Sequence, residues 1–419
     1  VSTGAVEVEK EPTLQRDAPS RVPPQISVTV LTGGIDRPYA FGLSMALASN
    51  GVALDVIGSA EVDSPEMHCT PGLTFLNLQG DPREKASSAK RIFKVLRFYA
   101  RLFRYVVSAK TEIFHILWNN KFPAFDRTLL MLYYKMFGKK IVFTAHNVNA
   151  GRRDKNDSAM NRLTLKIQYH LADHIFVHTE KMKSELRGDF GIPAESVTVI
   201  PFGINNSVPN SELTSAQAKH KLGLDADSKT ILFYGAIRQY KGLEHLVAAF
   251  QLVAPKHSTC RLLIAGEVKK GAEQYLQDIQ KTIDEDRFCR TQTVQRIEFI
   301  PDGETEVYFK AADVLVLPYS EIFQSGVLFL AYSFGLPVIA ADIGSFHEDI
   351  ISGETGFLCK SVRAEDLAET IERYFASDLY MSLASRRPHI QEFAEKRNSW
   401  RTVADATRGV YERLLGSSA

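Results

Sequence analysis

The chain has 419 residues, 45% of them hydrophobic and 24% charged, with 50 Lys and Arg set against 49 Asp and Glu for a formal charge of +1. An even balance excludes a global basic field for nucleic acid, and the length exceeds one ordinary core, predicting two domains of about 180–200 residues. The four cysteines, Cys69, Cys260, Cys289 and Cys359, lie far apart with no CxxC or Cys/His spacing. No metal site is expected from them, and they read as reduced thiols of a cytosolic protein.

No apolar run reaches the ~20 residues of a bilayer span, and no signal-peptide pattern is visible. Residues 1–25 mix charge, Pro and Ser without periodicity and predict a disordered leader. The chain opens on Val1 rather than Met, so an earlier natural start is expected. ISVTVLTGG then reads as a strand ending in Gly33 and Gly34. A helix closed by Gly51 and the strand VALDVIG follow, which is the opening of a doubly wound domain. A Gly-Gly turn lets the backbone approach a ligand closely, although the full GxGxxG pattern is lacking.

Residues 90–110, KRIFKVLRFYARLFRYVVSAK, contain no acid. Lys90, Lys94, Arg97, Arg101 and Arg104 recur at spacings of four and three, which places them on one helical stripe among aromatic and aliphatic residues. That is the pattern of a helix attached to a membrane surface through anionic headgroups. The plainer reading is a helix that covers a sheet and turns a basic side to water. EIFHILW (112–118) and KKIVFTAHNV (139–148) read as buried parallel strands. The second ends in His146 and Asn147, ahead of a polar loop holding Asp154 and Asp157. The carboxyl end of a strand is where site residues of an open α/β sheet gather. HIFVHTEKMKSEL adds a strand and a helix, SVTVIPFGI adds a last strand, and the polar run 205–215 marks a domain boundary.

A second αβ series starts at Thr230. TILFYGAIRQYKGLEHLVAAF is a strand, a turn at Gly235, a loop with Arg238 and Lys241, and a helix. Two cations beside a Gly turn at a helix N-terminus make a diphosphate clamp. RLLIAGE, RIEFIPD and DVLVLPY continue as strands. The stretch 317–341, LPYSEIFQSGVLFLAYSFGLPVIAA, is a strand, a polar loop, a helix from about Gln324 and a further strand. Glu321, Gln324, Ser325, Gly326 and Val327 sit at its helix N-terminus, where free N–H groups favour an anion. A terminal helix containing Trp400 closes the chain.

Two doubly wound halves, with a Gly/Arg/Lys clamp in the second, resemble the GT-B fold glycosyltransferases. More narrowly, the chain is similar to the large, mostly retaining family of bacterial mannosyl- and glucosyltransferases. The resemblance is carried by TAHNV, VHTEKMKSEL, VIPFGI, FYGAIRQYKGLEHLV, AADVLVLPY, QSGVLFLAYSFGLPVIA and GSFHEDIISGETGFL, which run in family order from about 140 to 360. It implies an α/β fold of two Rossmann-like domains facing each other across a cleft. The acceptor domain would span 26–207 and the nucleotide-sugar domain 208–394, with residues 395–419 forming a terminal helix that crosses back. The implied reaction moves a hexose from a nucleotide-diphospho sugar to a lipid-linked or polysaccharide acceptor, with retention and without a metal or other cofactor. Arg238 and Lys241 would stabilise the departing diphosphate, with Gly34 and Gly235 close to it. His146 would lie beside the transferred sugar and the acceptor, and Asn147 on the acceptor side.

Much of the family carries two glutamates in the 317–341 stretch. Ile322 and Leu330 stand at those positions here, and the usual Gly-Arg pair reads Gly235-Ala236, with the arginine at Arg238. The chain thus resembles a subgroup with IRxYKG and QSGV motifs in place of the glutamate pair, in which Gln324 and Ser325 take over contacts to the sugar or diphosphate. An inverting reaction would need a carboxylate base, for which Asp154 or Asp157 could serve. Two rivals stay open: a nucleotide-sugar epimerase of the same fold, and a non-catalytic paralogue that binds nucleotide or supports another transferase. The expected partners are a nucleotide sugar and a glycan or lipid-linked acceptor, with no nucleic acid. The expected location is the cytoplasm, the basic helix being a candidate for peripheral attachment to the inner face of the cell membrane.

Overall fold

A computed structural model of the chain describes residues 26–81, 87–153, 157–204, 208–322 and 324–416. The expected leader and Asp154 lie outside the described residues. Short aliphatic runs between polar or Gly turns become strands, the central ones buried on both faces as parallel sheets require. In the first half these are β1 (Ser27–Leu31), β2 (Ala53–Gly58), β3 (Leu73–Asn77), β4 (Ile113–Ile116), β5 (Lys140–Thr144), β6 (His174–Val177) and β7 (Val197–Val199). They pair in parallel in the order β3-β2-β1-β4-β5-β6-β7.

The second half holds β8 (Lys229–Tyr234), β9 (Cys260–Ala265), β10 (Thr293–Arg296), β11 (Val314–Leu317), β12 (Val338–Ala341) and β13 (Gly356–Cys359), in the order β10-β9-β8-β11-β12-β13. Each order reverses once, at β1/β4 and at β8/β11. The crevice outside the strand ends at such a reversal is where an open α/β sheet takes its ligand. These are the two Rossmann-like sheets of a GT-B fold, with a cleft between them.

Three edge strands depart from the sequence reading, among them β13, whose GFLC run was read only as part of a Gly-rich stretch. β3 was not foreseen: LTFLN alternates buried and exposed positions and carries too little apolar signal to stand out. RIEFIPD is not the strand predicted there. The ladder forms just upstream, Thr293 opposite Leu262 through to Arg296 opposite Ala265. Ile297 and Ile300 instead pack on the core from the following loop, while Phe299 stays exposed.

The helix Ser88–Ser108 buries Phe98, Tyr99, Leu102 and Val106 against one face of the first sheet. On the opposite face the helix Arg37–Ser49 packs with the terminal helix Trp400–Gly416, which returns from the second half. Trp400 lies between two glycines. A Cβ on Gly42 would come within 2.1 Å of its ring and one on Gly203 within 2.4 Å. Its indole N–H donates to the Ile204 carbonyl at 2.6 Å.

The terminal helix also closes a buried polar network. On β4, His115 Nδ1 lies 2.6 Å from the Tyr411 hydroxyl and Nε2 lies 2.7 Å from Thr144 Oγ1. His174 Nε2 lies 2.9 Å from Thr198 Oγ1. Burial pushes His115 down to about 3, and His174 and His178 down to about 4. An unfolded imidazole takes up its proton near pH 6.5. These three therefore stabilise the fold fully above that pH, and their contribution is lost as pH falls toward 4, at roughly 1.4 kcal/mol per unit for each. Asp36 and Asp349, which desolvation raises to about 6, work in the opposite sense and offset part of the loss. The unfolding free energy is accordingly expected to drop between pH 6.5 and 4, with three histidines outweighing two carboxylates. Denaturant titrations at half-unit pH steps measure this, and a flat profile would contradict it.

Candidate active site

The end of β5 delivers His146 to the cleft. Its ring stacks on Trp118, with centroids 4.1 Å apart and planes 3° apart, and meets the Tyr39 ring edge-on at 4.5 Å. Its Nδ1 lies 3.2 Å from Nε2 of His178, the residue that follows β6. The cavity in front of it measures about 380 Å³. Asp36, Tyr39, Trp118, His146 and Asn147 wall it from the first half. Tyr240, Ile322, Gln324, Gly326, Val327 and Leu330 wall it from the second, with Trp400 at its base. Phe202 and Phe329 stack at 5.6 Å and tie the walls together.

On the second-half side, Gly235 has φ 102°, and a Cβ there would lie 3.2 Å from Lys241 Nζ and 3.6 Å from Val327. Those three residues therefore meet. Lys241 is buried, with its ammonium over the Tyr319 ring at 5.4 Å. Ser325 is buried at the start of the helix Gly326–Ser333, and Gln324 Oε1 is buried without a hydrogen-bond partner among the described residues. Leu330 packs in the second core with an edge on the cleft, as its apolar side chain requires.

Arg238 and Glu321 do not face this cleft. They line an adjoining cavity of about 820 Å³ with Lys269, Lys270 and Ser320, and Tyr240 borders both cavities. The predicted donor residues are thus split between two connected spaces. Gly34 lines a third, of about 350 Å³, with Ser59, Gln79, Arg91, Lys94 and Lys121. Its φ of 75° favours glycine, and a Cβ there would push the flexible Gln79 carboxamide aside. Asp157 is absent from the cleft wall. Asn161 Nδ2 at 3.0 Å and Arg162 Nε at 2.7 Å bind its carboxylate, and these bonds pull it down to about 2.

Asp36 escaped the sequence reading. It caps the helix Arg37–Ser49, accepting from the Tyr39 amide at 3.4 Å, in a left-handed conformation with φ 53°. Its side chain opens toward solvent, yet the cleft walls desolvate the carboxyl and raise it to about 6. An Asp-x-Pro cap straight after a Gly-Gly loop was the signal available for it. Tyr39, Trp118 and Tyr240 also went unforeseen, because their approach to His146 or to Arg238 is set by packing between elements.

On the helix Ser88–Ser108 the basic stripe divides. Lys90, Arg97, Arg101 and Arg104 are exposed, whereas Lys94 is half-buried and lines the Gly34 cavity. Ile92, Phe93 and Leu96 remain 63%, 63% and 60% exposed. Among the described residues, no helix is long and apolar enough to cross a membrane, and no group of three or more His, Cys, Asp or Glu side chains is placed to hold a metal ion.

Residues 32–208 match the family described as Glycosyltransferase Family 4, and residues 215–397 match Glycosyl transferases group 1. The D-inositol 3-phosphate glycosyltransferase of Rhodococcus jostii is 24% identical over 393 residues, covering 88% of this chain and 82% of that protein. Among solved structures, sucrose-phosphate synthase of Thermosynechococcus elongatus superposes with a TM-score of 0.74 at 20% identity, over 94% of this chain and 100% of the other. Anabaena HepE in complex with UDP and glucose gives a TM-score of 0.71 at 16% identity, over 93% and 100%. These structural likenesses establish the fold.

Proposed function

We propose that this chain, a glycosyltransferase of the GT-B class that takes its sugar from a nucleotide-diphospho donor, delivers a hexose with retention to a lipid-linked or polysaccharide acceptor. The observation that carries this reading is the junction at Tyr240 between a cavity in the second half, where Arg238, Lys269 and Lys270 stand among Glu244, Asp278 and Glu321, and the aromatic cleft at His146, whose charged wall residue is Asp36. The nucleotide occupies the Arg238/Glu321 cavity. The diphosphate lies between Arg238, Lys241 and the N-terminus of the helix Gly326–Ser333, and the sugar reaches past Gln324 and Ser325 toward His146. As the glycosyl bond breaks, charge builds on the departing phosphate, where preorganised cations and N–H groups act most strongly. The acceptor enters from the first half by Asn147. Arg91, Lys94 and Lys121 beside Gly34 suit an anionic acceptor group, in keeping with the phosphorylated acceptor in the name of the Rhodococcus relative.

Retention is favoured because Asp157, held near 2 by its partners, is a poor general base. Asp36 supports a second reading: a cleft carboxyl raised to about 6 is suited to deprotonating an acceptor hydroxyl, and would give inversion. The anomeric configuration of the product, read from its NMR coupling constant, decides between them, and retention is expected. Arg238→Ala and Lys241→Ala should each lower transfer about 10²–10³-fold, measured as nucleoside diphosphate release from UDP- and GDP-sugars. Release that needs no acceptor and leaves an epimer would favour the epimerase. Wild type that releases nothing from any of these donors would favour the non-catalytic reading.

The finer partner is an anionic membrane surface. Leu129, Leu132 and Met136, on the helical segments Asp126–Leu130 and Met131–Met136, are also exposed. Tyr133 of that segment packs on Phe103 of the basic helix at 4.9 Å, which joins the two apolar strips. Basic residues flanking exposed aliphatic and aromatic groups complement anionic headgroups over an apolar interior. Flotation with vesicles of phosphatidylcholine, with and without phosphatidylglycerol, tests this. Binding should require the anionic lipid and fall severalfold in the Arg97/Arg101/Arg104→Glu variant. Equal flotation of that variant would remove the proposal.

A further inference from the structure

The geometry points to His178 as a positioning residue that holds His146 in one tautomer, so that His146 presents a bare Nε2 as a hydrogen-bond acceptor for a hydroxyl of the transferred sugar. This rests on the reading of the cleft as the place where the sugar lies.

The chain of bonds starts at a backbone carbonyl. His178 Nδ1 lies 3.2 Å from the Ile200 carbonyl oxygen, which can only accept. His178 Nδ1 therefore carries the hydrogen, and the ring's Nε2 is left with a lone pair as long as the ring is neutral. His146 Nδ1 stands 3.2 Å from that lone pair, so it must be the donor. This places the hydrogen of His146 on Nδ1 and strips it from Nε2. Burial keeps both rings neutral: His178 is pushed down to about 4, and His146 is held well below its ordinary value by burial and then by the neighbouring imidazoles.

The His146 ring has little freedom to escape this arrangement. Trp118 lies flat on one face, and Tyr39 presses edge-on. The remaining nitrogen, Nε2, is buried and has no hydrogen-bond partner among the described residues, on a ring that walls the cleft. A buried polar atom without a partner costs stability unless a ligand supplies one. A lone pair held in this way accepts from a hydroxyl, and it repels a carboxylate or a ring oxygen. The sugar should therefore bear a hydroxyl at the position that meets His146, and a deoxy sugar or a uronic acid carboxylate there should be disfavoured. An imidazole this hard to protonate is an acceptor and not a general base.

The test combines histidine tautomer NMR with kinetics. In ¹⁵N-histidine-labelled wild type, two-bond couplings should show His146 protonated at Nδ1 and bare at Nε2. The Nε2 shift should respond to UDP-glucose or GDP-mannose and not to UDP or GDP alone. His178→Phe removes the acceptor and should restore the Nε2–H tautomer, lowering kcat about tenfold, the worth of one hydrogen bond, with affinity for the nucleoside diphosphate unchanged. His178→Gln supplies both an acceptor and a donor and should keep activity near wild type. A wild-type His146 protonated at Nε2 overturns the proposal, as do equal losses in the Phe and Gln variants. A correct tautomer that no nucleotide sugar perturbs instead overturns the placing of the sugar in this cleft, and the proposal with it.

Discussion

Trp400 has space only as a flat ring between two bare backbones. Gly42 lies in the helix behind β1 and Gly203 in the segment that leaves β7 for the second half, and neither site admits a Cβ against the indole. The indole N–H holds the Ile204 carbonyl, while the preceding Asn398 donates to the Phe202 carbonyl at 2.9 Å and accepts from the Ile204 amide at 3.0 Å. The crossover between halves is thus clamped on both sides by the returning terminal helix. Phe202, carried on that crossover, stacks on Phe329 across the cleft and touches Tyr39 and His178. Remove the wedge, and the position of the second sheet's helix relative to His146 loses its support. Replacing a large buried aromatic by alanine typically costs about 3–5 kcal/mol, and here the cleft geometry would be lost with it.

Around this clamp the protein separates charge from neutrality. Charges of both signs line the two outer cavities, Arg238, Lys269 and Lys270 with Glu244, Asp278 and Glu321 on the second half, and Arg91, Lys94 and Lys121 with Glu61 and Asp81 on the first. Between them lies a cleft walled by aromatic rings, aliphatic side chains and neutral imidazoles, with Asp36 at its rim. Fixed dipoles that face such a cleft are poorly screened. Leu330 fits this arrangement, since an apolar side chain in an aromatic wall needs no polar partner.

Much of the fold was legible because parallel sheets write themselves plainly. Ten of the thirteen strands fall on short apolar runs read as strands between Gly or polar turns, and the helices between them follow from the same punctuation. The exceptions, β3, β10 and β13, are edge strands, where a single neighbour and a short or half-buried run leave a weak apolar pattern. His146 and Gly235 stand just past the ends of β5 and β8, a place that chain order alone defines.

Spatial assignment was not legible. Residues three apart, Glu321 and Gln324, face different cavities, and of the pair Arg238 and Lys241 the first lines a cavity while the second is buried against Tyr319. The basic stripe reads as one surface in sequence, yet packing turns Lys94 toward the Gly34 cavity and leaves the rest in water. The amino-acid order by itself determined the two sheets and the Gly-bounded loops, since each depends on residues close together in the chain. Tertiary structure alone decided which side chains share a cavity, that Trp400 closes on Gly42 and Gly203, and that His178 sets the tautomer of His146. Those contacts join residues from 32 to more than 350 positions apart, and only packing brings them within bonding distance.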